Sequence, residues 1–397
     1  MDSRRIAIAG GGIAGLAAGL CLAARGFTVT IHERAERLEE VGAGLQLSPN
    51  ATRILARLGV VERLNAAAVR PSGVVLTDAA SLRQLARMPL GAAAERRWGA
   101  PYLVAHRADL QAALIAQVRT TAAIRLELGT EVASAELTPE GAMLVLEDAG
   151  GRRRETACDL LIGADGVWSR LRALAGGPAS RFTGYVAFRT VVEAGEAAAR
   201  TLAGDAVTAF LSPRFHLVAY PLRGGAAFNL VLVTRGAQTP RGWATPADAS
   251  HPAQAVRGAA PALSRLVGMA GDWTAWPLNE VPQGGRWTMN GRLVLIGDAA
   301  HALTPHAAQG AAMAIEDAAA LAHCLAAEEQ ATALATFERL RKPRLARVAR
   351  RGDLNRLAWH AGGVTALARN LLFRLRSGES LAADLDWLYG HDAAGRR

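Results

Sequence analysis

Cysteine is scarce. Three residues, Cys21, Cys158 and Cys324, are spread through 397 positions. The odd count and wide spacing exclude a disulfide framework and a cysteine-held metal centre, and they point to reduced thiols in a cytoplasmic protein. No His, Cys or carboxylate group has metal-ligand spacing, so no metal is expected. Charged residues make up only 20% against 51% hydrophobic, which excludes a disordered chain. No apolar run reaches membrane-spanning length without charges interrupting it, so no membrane partner is expected. Internal repeats are missing as well, which excludes a repeat array.

The formal charge of +10 favours anionic ligands in general. Much of the excess lies between Arg339 and Arg356. No stacking-aromatic cluster or reading motif accompanies it, so a solvated helix face is expected there and no nucleic-acid partner. The opening SRRIAIAGGGIAGLAAGLCLAARG (Ser3–Gly26) is basic and then apolar, as a signal peptide is. Glycines break it, however, and the strand-like TVTIHE follows directly, which a nucleotide-binding turn explains better.

Ile6 to Ala9 reads as a buried strand, Ile13 to Arg25 as a small-residue helix and Thr28 to His32 as a second strand, together a βαβ opening. Helices are expected over LSPNATRILARLG (Leu47–Gly59) and HRADLQAALIAQV (His106–Val118), then strands in IRLELGTEVASAEL, AMLVLED and CDLLIGADG. From Gly184 the pattern changes to short β-type runs, YVAFRTVV, AVTAFL, FHLVAYPL and AAFNLVLV, the last two joined by the hairpin signal RGG. The loop AQTPRGWATPADASHP is expected to be exposed. The fold class is α/β (α+β overall): a Rossmann-like domain from residues 1–70, 101–175 and 276–340, an antiparallel sheet from 71–100 and 176–275, and a helical segment at 341–397.

Gly10, Gly12 and Gly15 form GxGxxG between the first strand and its helix. The first permits a tight turn, the second lets backbone approach a pyrophosphate, and the third allows close packing of helix on strand. The helix N-terminus offers unpaired amides to phosphate. Glu33 ends the second strand, where a carboxylate can hold the hydroxyls of an adenosine ribose. On the sheet, His216 and Tyr220 in FHLVAYPL are four residues apart and share a face. A phenol between them could bond to either, and a histidine of near-neutral pKa can take its proton. Arg189 in YVAFRT could anchor a carboxylate, or simply be a cross-strand charge.

CDLLIGADGVWSRLR (Cys158–Arg172) and GRLVLIGDAAHALTP (Gly291–Pro305), following GxGxxG in that order, resemble the further fingerprints of the single-component flavin aromatic hydroxylases, the class A flavoprotein monooxygenases. GAGLQLSPNATRILARLG, AHRADLQAAL and DWLYGHDA resemble their salicylate, 3-hydroxybenzoate and 6-hydroxynicotinate branches. The resemblance covers nearly the whole chain and implies FAD as cofactor. Asp298 would then bind a ribityl hydroxyl, and the amides of Gly310 and Ala311 would face the flavin pyrimidine, where a helix N-terminus stabilises negative charge. It also implies that Arg107 contacts FAD, that Asp165 lies near the pyrophosphate, and that Arg34 and Val132 lie near the adenosine half.

Gln46, counted with the cofactor positions, stands where the hydroxynicotinate enzymes carry a histidine, which favours a benzenoid acid. Gln309 resembles the 3-hydroxybenzoate and hydroxynicotinate branches and joins His216 and Tyr220 as a catalytic candidate. His301 and His306 are taken as structural or flavin-adjacent. No second GxGxxG exists, so NADH or NADPH is expected as a transient co-substrate. The implied reaction is hydroxylation of an aromatic acid by O2 through a flavin C4a-hydroperoxide, in a monomer or homodimer. Two alternatives stay open: a halogenase or reductase on the same scaffold, loosely suggested by DWTAWPL, and a flavin-binding sensor or adaptor without turnover.

Overall fold

The computed structural model describes residues 4–38, 44–195, 198, 201–237 and 245–395. Strand β1 (Ile6–Ala9) lies inside a six-stranded sheet, between β2 (Val29–Glu33) and β11 (Leu160–Gly163). Outside these run β7 (Ile124–Leu128) and β19 (Leu293–Leu295), and the short β18 (Thr288–Met289) closes the edge antiparallel. The central strands IAIA, LLIG and LVL are apolar throughout because helices cover both faces of a parallel sheet. One of those helices, Ile13–Ala23, packs its alanines and glycines closely on the helix Gly310–Ala327. This is the expected Rossmann-like arrangement.

A second sheet has eight strands. Its order is β16 (Thr245–Ala247), β17 (Trp273–Glu280), β12 (Arg181–Glu193), β15 (Ala227–Arg235), β14 (Phe215–Leu222), β13 (Val207–Leu211), β4 (Gly73–Asp78) and β5 (Gln84–Pro89). Strands β14 and β15 form the expected hairpin around Arg223–Gly225, where all three residues take positive φ. The sheet departs from the antiparallel expectation at one pair, β13 beside β4, which is parallel because these strands come from distant segments rather than a hairpin. Strand β17 runs to Glu280, past the boundary drawn at residue 275. The DWTAWPL motif belongs to this strand, with Trp273 and Trp276 buried in the sheet.

Helices Ser250–Ala255 and Pro261–Met269 interrupt the region expected as sheet; Leu263, Leu266 and Val267 bury one face of the second. Residues 238–244 of the proline-rich loop lie outside the described residues, as do Gly42 and Ala43 of the GAGLQL motif. A small sheet of β8 (Thr130–Leu137), β9 (Ala142–Asp148) and β10 (Arg153–Cys158) flanks the six-stranded sheet. The ribbon β3 (Gly44–Leu47) with β6 (Leu103–His106) joins the two halves, because Gly44 N–H donates to Asn229 of β15 at 2.8 Å.

Two expectations about the C-terminal half need correction. The helix Gln330–Trp359 was expected to present a solvated basic face, yet Arg341 is only 2% exposed and Arg344 also points inward. Arg341 answers both Glu316 and Asp317 of the neighbouring helix, and Arg344 answers Glu316. That neighbour, Gly310–Ala327, is long and apolar enough to cross a membrane, contrary to the expectation that no segment would be. It is 72% buried inside the protein, so its apolarity serves the core.

Candidate active site

The glycine turn behaves as its spacing requires. Gly10 has φ +108°, and a Cβ there would fall 2.4 Å from the Ala164 carbonyl oxygen. A Cβ on Gly15 would fall 1.9 Å from the Gly10 oxygen, so this glycine sets helix-to-turn packing. Gly12 differs: a Cβ there meets nothing within 4 Å, because the residue faces the cavity. Glu33 accepts hydrogen bonds from Gly11 N–H at 2.7 Å and Ala35 N–H at 2.9 Å, so it fixes the turn while lining the same cavity. Arg34 is exposed at the rim, Val132 lines the wall at a β-bulge, and Arg107 opens the helix Arg107–Arg119.

Farther in, Asp165 accepts from the amides of Arg170 and Leu171 through Oδ2, whereas its buried Oδ1 has no partner. A buried carboxylate oxygen left so is available to accept from a bound ligand or a water. Asp298 begins the short helix Asp298–His301 and also lines the cavity. Gly310 starts the long core helix with open space in front of it, and Ala311 lines the wall beside it.

The helix start is braced from behind. Gln309 Nε2 donates to Ser48 Oγ at 3.0 Å and Asn50 Nδ2 donates to Gln309 Oε1 at 3.3 Å, so the Gln309 amide is tied up on the core side. Asn50 also donates to Glu316 at 2.6 Å. Glu316 and Asp317 are fully buried and share Arg341, at 2.6 and 2.7 Å. Asp317 further accepts from Gly297 N–H at 2.9 Å and contacts His301 at 2.5 Å. Burial alone would raise both carboxyl pKa values, but the arginines around Glu316, and His301 with Arg341 around Asp317, outweigh it and hold both low. The polar groups of the GDAAHALTPHAAQGAAMAIED stretch thus divide between a cavity face and an ionic core. Neither acid was singled out from the sequence, although their burial in an alanine helix required partners.

The sheet face opposite carries the residues expected to meet substrate. His216 and Tyr220 on β14 line one cavity with Arg189, Val218, Val231, Trp276 and Met88. Its volume of ≈ 1250 Å³ exceeds the roughly 300–1,000 Å³ of an ordinary ligand site. Tyr220 is buried beside Gly44, and burial pushes its phenol pKa up, so it is a neutral donor. His216 is 2% exposed, and burial followed by His306 and His360 drives its pKa well below the near-neutral value expected of a proton acceptor, so it rests neutral and does not hold an added proton by itself. Gln46 lines the cavity with its carbonyl accepting from Tyr102 Oη at 2.6 Å. His306, expected to be structural or flavin-adjacent, faces the cavity with both ring nitrogens lacking a protein partner. The C-terminal helix adds Asn355 and Trp359 to the wall, which the sequence reading placed outside the site.

A family model described as an FAD binding domain matches residues 4–352. The chain belongs to that family. It is 36% identical to the 3-hydroxybenzoate 6-hydroxylase of Polaromonas naphthalenivorans (strain CJ2) over 97% of this chain and 95% of that one. It is 34% identical to the 6-hydroxynicotinate 3-monooxygenase of Pseudomonas fluorescens, over 88% and 90%. Its fold matches the structure of Klebsiella pneumoniae HpxO complexed with FAD and uric acid with a TM-score of 0.83, at 24% identity and 98% and 97% coverage. The protein is thus an FAD-dependent aromatic monooxygenase of the FAD binding domain family. The open face at Gly12, the unpartnered Asp165 oxygen and the bare start of the Gly310 helix fit that cofactor.

Proposed function

We propose that this FAD binding domain protein hydroxylates a hydroxybenzoate-like aromatic acid, using NADH or NADPH and O2. The observation that carries the reading is a single cavity shared by the glycine turn, the Gly310 helix start and an apolar sheet face bearing His216 and Tyr220. In this reading Gly12, Glu33, Arg107, Asp165, Asp298 and the Gly310–Ala311 amides hold FAD, with Arg34, Gln46 and Val132 completing its surroundings. When bound, FAD supplies electron transfer from the nicotinamide and activation of O2.

The chain's own groups prepare the ring. His216 accepts the phenolic proton, which raises electron density at the ortho and para carbons. Tyr220 donates a hydrogen bond to the same oxygen or its neighbour. Arg189, held over Trp276 at 5.0 Å, offers its positive charge to the substrate carboxylate. Val218, Val231 and Met88 exclude water from the ring. Gln309 lines the same cavity while its amide holds the helix start against Ser48 and Asn50, so it acts by positioning that wall beside the ring. The three cysteines are buried and unpaired, in keeping with a reducing cytoplasm.

A panel of hydroxylated benzoates, assayed for stimulated NAD(P)H oxidation with product identification, tests the assignment. A hydroxylated product from at least one benzenoid acid is expected, and His216→Asn should retain FAD while losing product. Failure of every acid in the panel to stimulate oxidation would sink the reading.

A further inference from the structure

We propose that His360 is the second member of a proton relay that begins at His216 and ends in solvent. The proposal rests on the reading of His216 as the group that takes the phenolic proton. His216 Nδ1 lies 3.1 Å from His360 Nε2, a direct imidazole-to-imidazole hydrogen bond. His360 follows the last turn of the helix Gln330–Trp359 and is half-buried, so it spans the distance between the enclosed His216 and the surface.

Tautomers decide the direction. One nitrogen of the pair must donate and the other accept. If His216 Nε2 is to receive a proton from substrate, Nδ1 carries the hydrogen and donates to His360 Nε2. The phenolic O–H bond then breaks to Nε2 while the Nδ1–H proton passes to His360, and His360 Nδ1–H releases a proton to water. The substrate becomes phenolate, His216 stays neutral, and one proton leaves. When product phenol re-forms, the same path run backwards restores both tautomers.

The surroundings call for such an exit. His216 sits among other imidazoles, with ring centroids of His306 and His360 both at 5.2 Å and Trp359 at 4.9 Å. Tyr185 stacks on His360 from β12, and Arg356 and Arg235 add positive potential at His360. Burial and these neighbours hold all three histidines below the ordinary imidazole pKa. An imidazolium trapped at His216 is therefore costly, and one step outward relieves it.

The same three residues have ligand nitrogens within 4.8 Å of one another, close enough to raise the question of a metal. The group itself contains no carboxylate, two of its nitrogens are already hydrogen-bonded to each other, and the nearby arginines disfavour a cation. Proton transfer fits these facts better.

Stopped-flow mixing of the FAD-loaded protein with a phenolic benzoate in weak buffer, containing a pH-indicator dye, reads proton release directly. Ultraviolet absorbance of the bound ligand reports its ionisation. His360→Gln and His360→Phe should keep FAD content and ligand affinity but slow proton release about tenfold or more. Imidazole added to His360→Gly should restore the rate, which a purely structural role would not allow. Release within twofold of wild type in both the Gln and Phe variants overturns the relay, as does one equivalent of zinc per chain that His360→Gln loses. A wild type that binds the phenol without ionising it overturns the His216 reading and the relay together. Ionisation with unslowed release in the variants overturns the relay alone.

Discussion

Replacing Arg341 by Met isolates the ionic core behind the cofactor site. The guanidinium donates through Nε to Asp317 at 2.7 Å, through Nη1 to Glu316 at 2.6 Å and through Nη2 to the Met313 carbonyl at 3.3 Å. After substitution Glu316 keeps Arg344 and Asn50, but Asp317 keeps only His301 and the Gly297 amide. Removing one partner of a buried pair costs about 3–5 kcal/mol, since an uncompensated charge remains. The retained Arg344 contacts place this change toward the lower end of that range. Urea unfolding followed by both circular dichroism and flavin fluorescence measures it, two probes being needed for a chain with two lobes. Adding Asp317→Asn removes the stranded charge while keeping an acceptor for Gly297, and should recover at least about 1 kcal/mol. A single-variant loss below about 1 kcal/mol, or a double variant weaker than the single, would refute the assignment of this network as a stability element.

Gly12→Ala should leave apo-protein unfolding within about 1 kcal/mol of wild type, because its φ of −72° and open surroundings accept a methyl. The same change should weaken FAD binding about tenfold or more, as fluorescence titration will show, if backbone contacts to a charged phosphate are lost. His306 titrates at about 4, depressed chiefly by burial and then by His360 and Arg356. The unfolded chain therefore takes up a proton near pH 6.5 that the folded one refuses, and stability should fall by about 3 kcal/mol between pH 6.5 and 4 from this group. His306→Gln should flatten that slope in pH-dependent unfolding. Glu316 and Asp317 act below it: their depressed pKa values support the fold above the ordinary carboxylate range, and that support is lost as the pH falls through them. Arg341→Met should shrink the acid-side loss.

The cofactor half was legible because its chemistry is local. GxGxxG, Glu33 and the Asp-containing turns occupy short stretches whose spacing dictates backbone shape, and the βαβ opening follows from apolar periodicity. The pairing of His216 with Tyr220 was readable for the same reason, since strand geometry alone puts them on one face. What depends on distant segments was not. The basic run from Arg339 looks like a solvated face until Glu316 and Asp317 are seen to lie against it. The roles of Asn355, Trp359 and His360 need the long helix to return across the sheet, and no local signal marks that path. Strand β10, with sequence RRETAC, lacked apolar alternation because it lies at the edge of a small sheet with its first residues exposed. The parallel contact of β4 with β13 joins segments far apart in the chain, so turn signals say nothing about it.

The cavity draws its walls from Ala9 at one extreme and Tyr389 at the other. A ribosome adding roughly 5–20 residues per second needs some 20–80 s to pass between those two points. Until the later segment arrives, the glycine turn can offer amides to a phosphate but no enclosure for a ring. Enclosure of the ring therefore waits until nearly the whole chain has been made.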